Sequence, residues 1–284
     1  MNYILIPTCS FALILFAAGL LAGRAAKGFR LGLLMILGAV IAIPGVIFVV
    51  YYLKILGEPI WLYQFRSLPF TELSASGAGF IAGLLHGKFS TGERFRRIAG
   101  SWFFPGILGL GLLIPYVKPM VRPPDWKHFQ DRWSEGVCLQ TSESSCGPAC
   151  AATLLRLGGK TATEQEVARA SFTSRNGTEN WYLARTLRRY GMQVQFAFAS
   201  NVESMWPVPS IAGVRLPAAG STGHFITVLD HIGDSYVIGD PLEGRIVRSR
   251  AELRDTYEFT GFFMLVSAGA TPGTQEAGNF HQKQ

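Results

Sequence analysis

Residues 139–150 read LQTSESSCGPAC, and this stretch decides how the C-terminal half of the chain is interpreted. Ser144 or Ser145 can cap a helix that we predict to span residues 146–157, before a pair of glycines ends it. Pro148 suits this start, because the first turn of a helix does not use the N–H group that proline lacks. The stretch therefore predicts a helix whose first residue is a cysteine.

The position of Cys146 at a helix start indicates a chemical role. A thiol there lies beside unpaired N–H groups and the positive end of the helix dipole, which stabilise the thiolate that attacks carbonyl carbon. Gly147 is expected to leave the backbone open to a substrate. Gln140 lies six residues before Cys146, so its amide can stand beside the Cys146 N–H and receive the charge of a tetrahedral intermediate. We predict a nucleophile and an oxyanion residue here.

Further helices come early in this half of the chain, and strands come late. Thr163 and Glu166 form a capping box for a second helix, and a third is predicted over residues 178–190. Six short segments with strand character follow, separated by turn residues; they are 193–199, 209–216, 224–230, 235–240, 244–249 and 261–267. Helices followed by antiparallel strands predict an α+β domain.

Two of these strands supply a base for the nucleophile. If 224–230 and 235–240 pair across a loop at 230–234, the register places His224 opposite Asp240. Directly opposed side chains have Cβ atoms ~5 Å apart, which lets a carboxylate hold the orientation and tautomer of an imidazole. The spacing predicts a Cys-His-Asp triad, and we interpret His231 as a solvated turn residue.

This pattern resembles the bacteriocin-processing, double-glycine leader peptidases, a branch of the papain-like cysteine peptidases. The resemblance covers nearly half of the chain. It rests on short motifs with fixed order, namely Gln140 before Cys146-Gly147, Gly177-Thr178, Leu183 and Leu187 before Gly191, Gly223-His224-Phe225, and Gly239-Asp240-Pro241 with Gly244.

The resemblance implies a papain-like fold, with the cleft between the helical half and the sheet. It also implies four roles: Gln140 as the oxyanion residue, Cys146 as the nucleophile, His224 as the base and Asp240 as its orienter. It implies no cofactor, metal or nucleotide.

The chain departs from the family in three respects. Ser145 stands where the family usually has aspartate, and the domain follows apolar segments instead of preceding them. The third departure is that no ATPase is predicted. The string GLLHGKFS around Lys88 lacks the first glycine and the Ser or Thr of a phosphate-binding loop. Family members fused to transporters face the cytoplasm and cut after Gly-Gly, whereas the natural substrate of this chain stays open.

The N-terminal half is apolar. A spanning helix needs about 20 apolar residues, and we predict four helices in a transmembrane region 1–117, at 3–23, 31–53, 73–87 and 98–117. The third is short, and its glycines Gly79, Gly83 and Gly87 form a stripe that permits close helix packing. A re-entrant loop is the alternative for this segment.

The charge distribution predicts orientation. If all four segments span, loops 24–30 and 88–97 share one side and are strongly basic, whereas loop 54–72 is balanced. The positive-inside rule makes the basic loops cytoplasmic, so the domain after residue 118 is extracytoplasmic on a bacterial inner or plasma membrane. Most of the net charge of +7 lies before residue 118, so it does not indicate nucleic-acid binding.

The remaining layout is a linker at 118–129, a peptidase domain at 130–267 and a disordered tail at 268–284. The expected partners are a peptide or protein substrate, the lipid bilayer and a separate export machinery. In an oxidising compartment Cys138 and Cys150 could form a disulfide.

Two alternative functions remain open. The domain could be a catalytically silent module that binds peptides in a membrane assembly, because a fold can be retained without turnover. The same thiol could also serve an amidase or acyl transferase that acts on cell-wall peptides.

Overall fold

The computed structural model describes residues 2–52, 55–57, 59–89, 118–199, 206–217, 220 and 222–268. The predicted span 98–117 and all of the predicted tail except Ala268 lie outside the described residues.

The N-terminal part is helical. Helices α1 (Asn2–Ala25) and α2 (Gly28–Tyr52) are followed by the short helix α3 (Ile60–Arg66), a 3₁₀ helix η1 (Thr71–Gly77) and α4 (Ala78–Phe89). Among the described residues, two helices are long and apolar enough to cross a membrane. The bent pair formed by α3 with η1 and α4, which meets at 101°, would make a third as a broken span or a re-entrant loop.

The glycine stripe of α4 makes close contact with α1, as its spacing predicts. A Cβ atom added at any of these glycines would collide with a backbone carbonyl of α1, in the pairs Gly79–Ala12, Gly83–Phe16 and Gly87–Leu20. Glycines of α1 are equally close to α4, since a Cβ at Gly19 or Gly23 would meet its carbonyls. Small residues on both helices therefore allow the two backbones to touch.

Three helices form one layer of the C-terminal domain, and all three are confirmed predictions. They are α5 (Cys146–Leu157), α6 (Glu164–Ala170) and α7 (Asn180–Arg189). The predicted capping box of α6 is formed in both directions. Ser145 is the N-cap of α5, but its hydroxyl donates to the carbonyl of Ser142 instead of accepting a helix N–H.

The second layer is a six-stranded antiparallel sheet in the order β3-β8-β4-β5-β6-β7. Its strands are β3 (Met192–Phe198), β4 (Ser210–Leu216), β5 (Thr222–Ile232), β6 (Ser235–Asp240), β7 (Gly244–Ser249) and β8 (Glu258–Ala268). Helices on an antiparallel sheet confirm the α+β class. The small hairpin of β1 (Arg132–Ser134) and β2 (Val137–Leu139) and the helix α8 (Arg250–Thr256) had no sequence prediction.

Two cores cover the two faces of the sheet. Side chains of α5, α6 and α7, such as Leu154, Val167 and Leu183, are buried with Met264 of β8 in the first core. The second core contains Leu253 of α8, with Trp206, Ile226, Ile238 and Tyr257. The catalytic candidates lie where α5 meets β5.

The predicted register of the β5–β6 hairpin is wrong. Residues 230–232 continue β5 instead of forming a loop, and Ile232 pairs with Ser235 across a tight turn. Gly233 makes this turn possible, because it adopts a φ of 61° that side chains with a Cβ disfavour. A bulge at Leu229 then shifts the pairing again.

The loop between α2 and α4 is bound to α7 by buried polar contacts. Arg185 donates from Nε and Nη2 to the carbonyl of Arg66, at 2.9 and 2.5 Å. Its Nη1 atom forms an ion pair of 2.8 Å with Glu72, and Arg188 donates to the carbonyl of Ser67. A buried guanidinium with several acceptors indicates a specific interface, because an unpaired charge would be costly there.

Aromatic packing reinforces this interface. The ring of Tyr63 from α3 contacts four rings of the C-terminal domain, namely those of Trp181, Phe196, Phe198 and Phe262. The guanidinium of Arg66 stacks over Trp181 at 3.9 Å from the ring centroid. Lys118, just after the last predicted span, forms an ion pair of 2.9 Å with Glu179 at the start of α7. The N-terminal helices and the C-terminal domain therefore meet at α7.

Candidate active site

Cys146 is the first residue of α5 and is partly exposed, while Ser145 behind it is fully buried. The expectation that Gly147 leaves the backbone open to substrate is wrong. Gly147 is buried, and a Cβ there would lie 2.8 Å from a methyl group of Leu183. Glycine fits this position because α7 packs closely against the start of α5.

The imidazole of His224 lies between the Cys146 thiol and the Asp240 carboxylate. Its Nε2 donates to Asp240 Oδ1 at 2.9 Å, and both side chains are buried. The thiol of Cys146 lies near enough to the ring to help raise the pKa of His224. The structure thus brings together the three residues that the sequence analysis singled out, and their catalytic roles stay a prediction.

The electrostatics of the pair favour a charged imidazole. Burial lowers the pKa of His224, but hydrogen bonds and charges from Asp240 and Cys146 together outweigh it and raise that pKa to about 9. For Asp240, burial raises the pKa, but hydrogen bonds from His224, Tyr257 and Leu242 outweigh this and lower it. An imidazolium held by a carboxylate is the partner that a thiolate nucleophile requires.

His224 and Asp240 meet because of the bulge, although the predicted register was wrong. Pairing runs from Ile232–Ser235 at the turn, and without a bulge it would place Asp240 opposite Thr227, on the other face from His224. The extra residue, Leu229, shifts the alternation of side chains between the two faces by one position. Asp240 therefore lies on the same face as His224, as its diagonal neighbour. Diagonal neighbours are within reach of long side chains.

Asp240 has two further donors that the sequence analysis missed. The backbone N–H of Leu242 donates to Oδ1 at 2.8 Å, and the hydroxyl of Tyr257 donates to Oδ2 at 2.5 Å. Tyr257 is buried at the end of α8, and burial together with the nearby carboxylate raises its pKa. A usable signal was present, since Ser249 and Glu252 have the spacing of a capping box for α8.

Gln140 lies on the segment that leads from β2 to Cys146. Its backbone N–H donates to the carbonyl of Pro241, next to Asp240, at 2.9 Å. Its Nε2 donates to the carbonyl of Ser142 at 3.1 Å, and its Oε1 is buried without a hydrogen-bond partner. The residue is tied to the same corner as the triad candidates, and its role as oxyanion donor stays a prediction.

The suggested disulfide between Cys138 and Cys150 is absent, and both residues are free, buried thiols. Cys150 instead donates from Sγ to the carbonyl of Phe225 at 3.2 Å, which joins α5 to β5 beside His224. Burial raises the pKa of Cys138 to about 12 and also raises that of Cys150. Both thiols are therefore unsuited to nucleophilic chemistry.

Comparison with known proteins assigns this domain. Residues 134–271 match the profile of the Peptidase C39 family. The C-terminal domain is therefore similar to the Peptidase C39 family. This result confirms the recognised resemblance and the prediction of a cysteine peptidase domain.

The C-terminal domain is also similar to a protein named for bacteriocin processing and transport. It is 29% identical over 134 residues to the lactococcin-G-processing and transport ATP-binding protein LagD of Lactococcus lactis subsp. lactis. That match covers 45% of this chain and 18% of the relative, so the chain corresponds to a small part of its length.

Two solved structures are also similar. The peptidase domain of Streptococcus ComA, a bifunctional ABC transporter involved in quorum sensing, is 19% identical; the match covers 46% of this chain and 96% of that one, with a TM-score of 0.38. A double glycine motif protease from an AMS/PCAT transporter, in complex with the leader peptide, is 20% identical, with 50% and 96% covered and a TM-score of 0.40.

Proposed function

We propose that this chain is a membrane-anchored cysteine peptidase that hydrolyses peptide bonds in a peptide or protein substrate. The observation that carries the proposal is the hydrogen bond between His224 and Asp240 at the corner between α5 and β5, where the thiol of Cys146 lies near the same imidazole. The match of the domain to the Peptidase C39 family supports the reaction type.

The geometry supports a sequence of proton transfers through one imidazole. His224 holds the thiol proton of Cys146, and the resulting thiolate attacks the substrate carbonyl carbon. The oxyanion receives hydrogen bonds from the Gln140 amide and the Cys146 N–H. The imidazolium then protonates the leaving amine, and a water that gives its proton to His224 hydrolyses the thioester. Asp240 keeps the ring oriented throughout.

The docking of the α2–α4 loop on α7 supports an extracytoplasmic peptidase. Because Arg185 binds Arg66 and Glu72 directly, the loop and the domain lie on the same side of a membrane. The turn between α1 and α2 lies on the opposite side if α2 spans, and it carries the basic residues Arg24 and Lys27. The positive-inside rule assigns that turn to the cytoplasm. An even number of crossings then separates the loop from the domain.

The relatives support a substrate class. LagD is named for processing lactococcin G as well as for transport, and the chain matches 18% of its length. We propose that this chain cleaves a leader from a precursor peptide that a separate export machinery delivers. Neither a metal nor a nucleotide enters this mechanism.

A protease-accessibility experiment tests the location. Sealed spheroplasts that carry the full chain should lose the C39 domain when an external protease is added, while the basic α1–α2 turn stays protected. Protection of the domain until the membrane is permeabilised would contradict the orientation.

A second experiment tests the reaction. The purified full chain is incubated with precursor peptides that contain a double glycine, and the products are analysed by mass. Two fragments that sum to the precursor plus one water indicate hydrolysis, whereas a fragment joined to an added amine indicates an acyl transferase. An absence of turnover by a chain whose Cys146 reacts normally with iodoacetamide would favour a silent binding module.

A further inference from the structure

One buried carboxylate of the C39 domain has no part in the triad. Glu164 is the first residue of α6 and is only 1% exposed. Among the side chains that the structure describes, it forms no ion pair with a lysine, arginine or histidine. Burial raises its pKa despite several hydrogen bonds. A lone buried carboxylate is costly, so its contacts indicate what it does.

The carboxylate contacts the segment between Gln140 and Cys146. Glu164 Oε1 accepts the backbone N–H of Thr141 at 2.9 Å, and Oε2 accepts the hydroxyl of Thr141 at 2.5 Å. Glu164 therefore binds Thr141, the residue that follows Gln140, through both of its carboxylate oxygens.

Hydrogen bonds on both sides of Gln140 restrict its backbone. On one side, the N–H of Gln140 is held by the carbonyl of Pro241. On the other side, Thr141 is held by Glu164, and its hydroxyl also accepts the N–H of Gln130 at 3.1 Å. Four such hydrogen bonds on two neighbouring residues leave the backbone of Gln140 little freedom. They therefore fix the backbone position from which its side-chain amide extends.

Stabilisation of α6 does not explain the position of Glu164. The N-terminus of that helix is already capped, because Thr163 Oγ1 accepts the N–H of Glu166 and Glu166 accepts the N–H of Thr163. Glu166 lies on the same helical turn as Glu164, but it stabilises the helix start and not the loop. It is therefore a matched control for Glu164.

We propose that Glu164 is a positioning residue that holds the Gln140 amide where it stabilises the oxyanion. This inference rests on the proposed function, in which Gln140 donates to the tetrahedral intermediate. The role is separable from activation of the thiol, because Glu164 contacts the loop and not His224 or Asp240.

The test compares two reactions of Cys146 in the full chain in lipid nanodiscs. Alkylation by iodoacetamide forms no oxyanion and requires only the thiolate, whereas a peptide aldehyde that ends in Gly-Gly forms a tetrahedral adduct. We expect Glu164→Leu to weaken inhibition by the aldehyde about 10-fold, since a displaced oxyanion donor loses part of the 10²-fold or larger effect of removing one. The alkylation rate should stay within about 2-fold of wild type, because the thiolate–imidazolium pair is unchanged.

Conservative variants distinguish positioning from folding. Glu164→Gln keeps one oxygen for the Thr141 N–H, so it should recover part of the affinity for the aldehyde. Thr141→Val keeps the N–H and loses the hydroxyl, so it should show a smaller loss of the same kind. Glu166→Leu, matched to Glu164→Leu, should lower the Tm by opening the capping box, while the ratio of the two reactivities stays that of wild type.

Three results would overturn the proposal. Equal losses of both reactivities in the Glu164 variants would mean that the residue only maintains the fold. Unchanged affinity for the aldehyde would mean that the loop holds Gln140 without it. A wild-type chain that reacts with iodoacetamide at Cys146 no faster than at Cys138 and does not bind the aldehyde would refute the proposed function, and the positioning role with it.

Discussion

The proposed nucleophile and its proposed base are held by two different kinds of structure. Cys146 is held by the start of α5, which is formed by contacts between residues close in sequence. His224 and Asp240 are held by the β5–β6 hairpin, whose tight turn and bulge together set which face each side chain occupies. A helix start can be recognised locally, whereas the facing of two strands depends on every residue between them.

The largest expected effect comes from replacing Cys146 at the start of α5. Cys146→Ala should reduce peptide hydrolysis by about 10⁴-fold or more, because no other group forms the thioester. The Tm should change little, since the side chain is partly exposed. Cys138→Ala is the control, and it should keep activity while losing stability, because its thiol is buried. Activity that persists in Cys146→Ala would contradict the mechanism.

The hairpin end should give the next largest effect. Asp240→Asn removes the charge behind His224, and we expect kcat to fall by about 10²-fold or more. The loss of that charge also moves the pKa of His224 down from about 9, so the basic limb of the pH–rate profile should shift to lower pH. Asp230→Asn changes an exposed acid on the same hairpin and should change neither quantity.

Tyr257 tests whether α8 supports the hairpin. Tyr257→Phe removes the 2.5 Å hydrogen bond to Asp240 and keeps the ring in its core. We expect kcat to fall about 10-fold with KM nearly unchanged, because the carboxylate of Asp240 is less restrained in its orientation. Tyr236→Phe loses a hydroxyl that contacts Trp206 and Arg250 instead, so its kcat should match wild type. Equal kinetic effects in both variants would indicate general loosening of the core.

The smallest effect is on stability against pH. The pKa of His224 is raised in the folded chain, so its contribution to stability is complete below the ordinary value of 6.5 and is lost as pH rises through about 9. The Tm of wild type should therefore fall by a few degrees across this window. His224→Gln lacks the titrating group and should show a flatter profile there, and identical profiles would contradict the pKa assignment.

Much of the fold could be predicted because its signals are local. The start of α6 follows from its capping box, Pro148 indicates the start of α5, and the six strands follow from short apolar runs between turns. The small β1–β2 hairpin was missed because each strand has three residues, too few for a period to emerge. The disulfide and the open backbone at Gly147 were wrong because both depend on which side chains pack nearby.

The sequence by itself determined the chemistry and the order of the parts. It presents a cysteine at a helix start, a glutamine before it, a histidine and an aspartate on neighbouring strands, and apolar helices ahead of them. These features are visible because capping, strand period and hydropathy act over a few residues. Tertiary structure alone decided that the bulge at Leu229 returns Asp240 to the face of His224, and that Tyr257 and Glu164 reach the site. Such contacts join residues distant in the chain, and packing of the whole domain selects them.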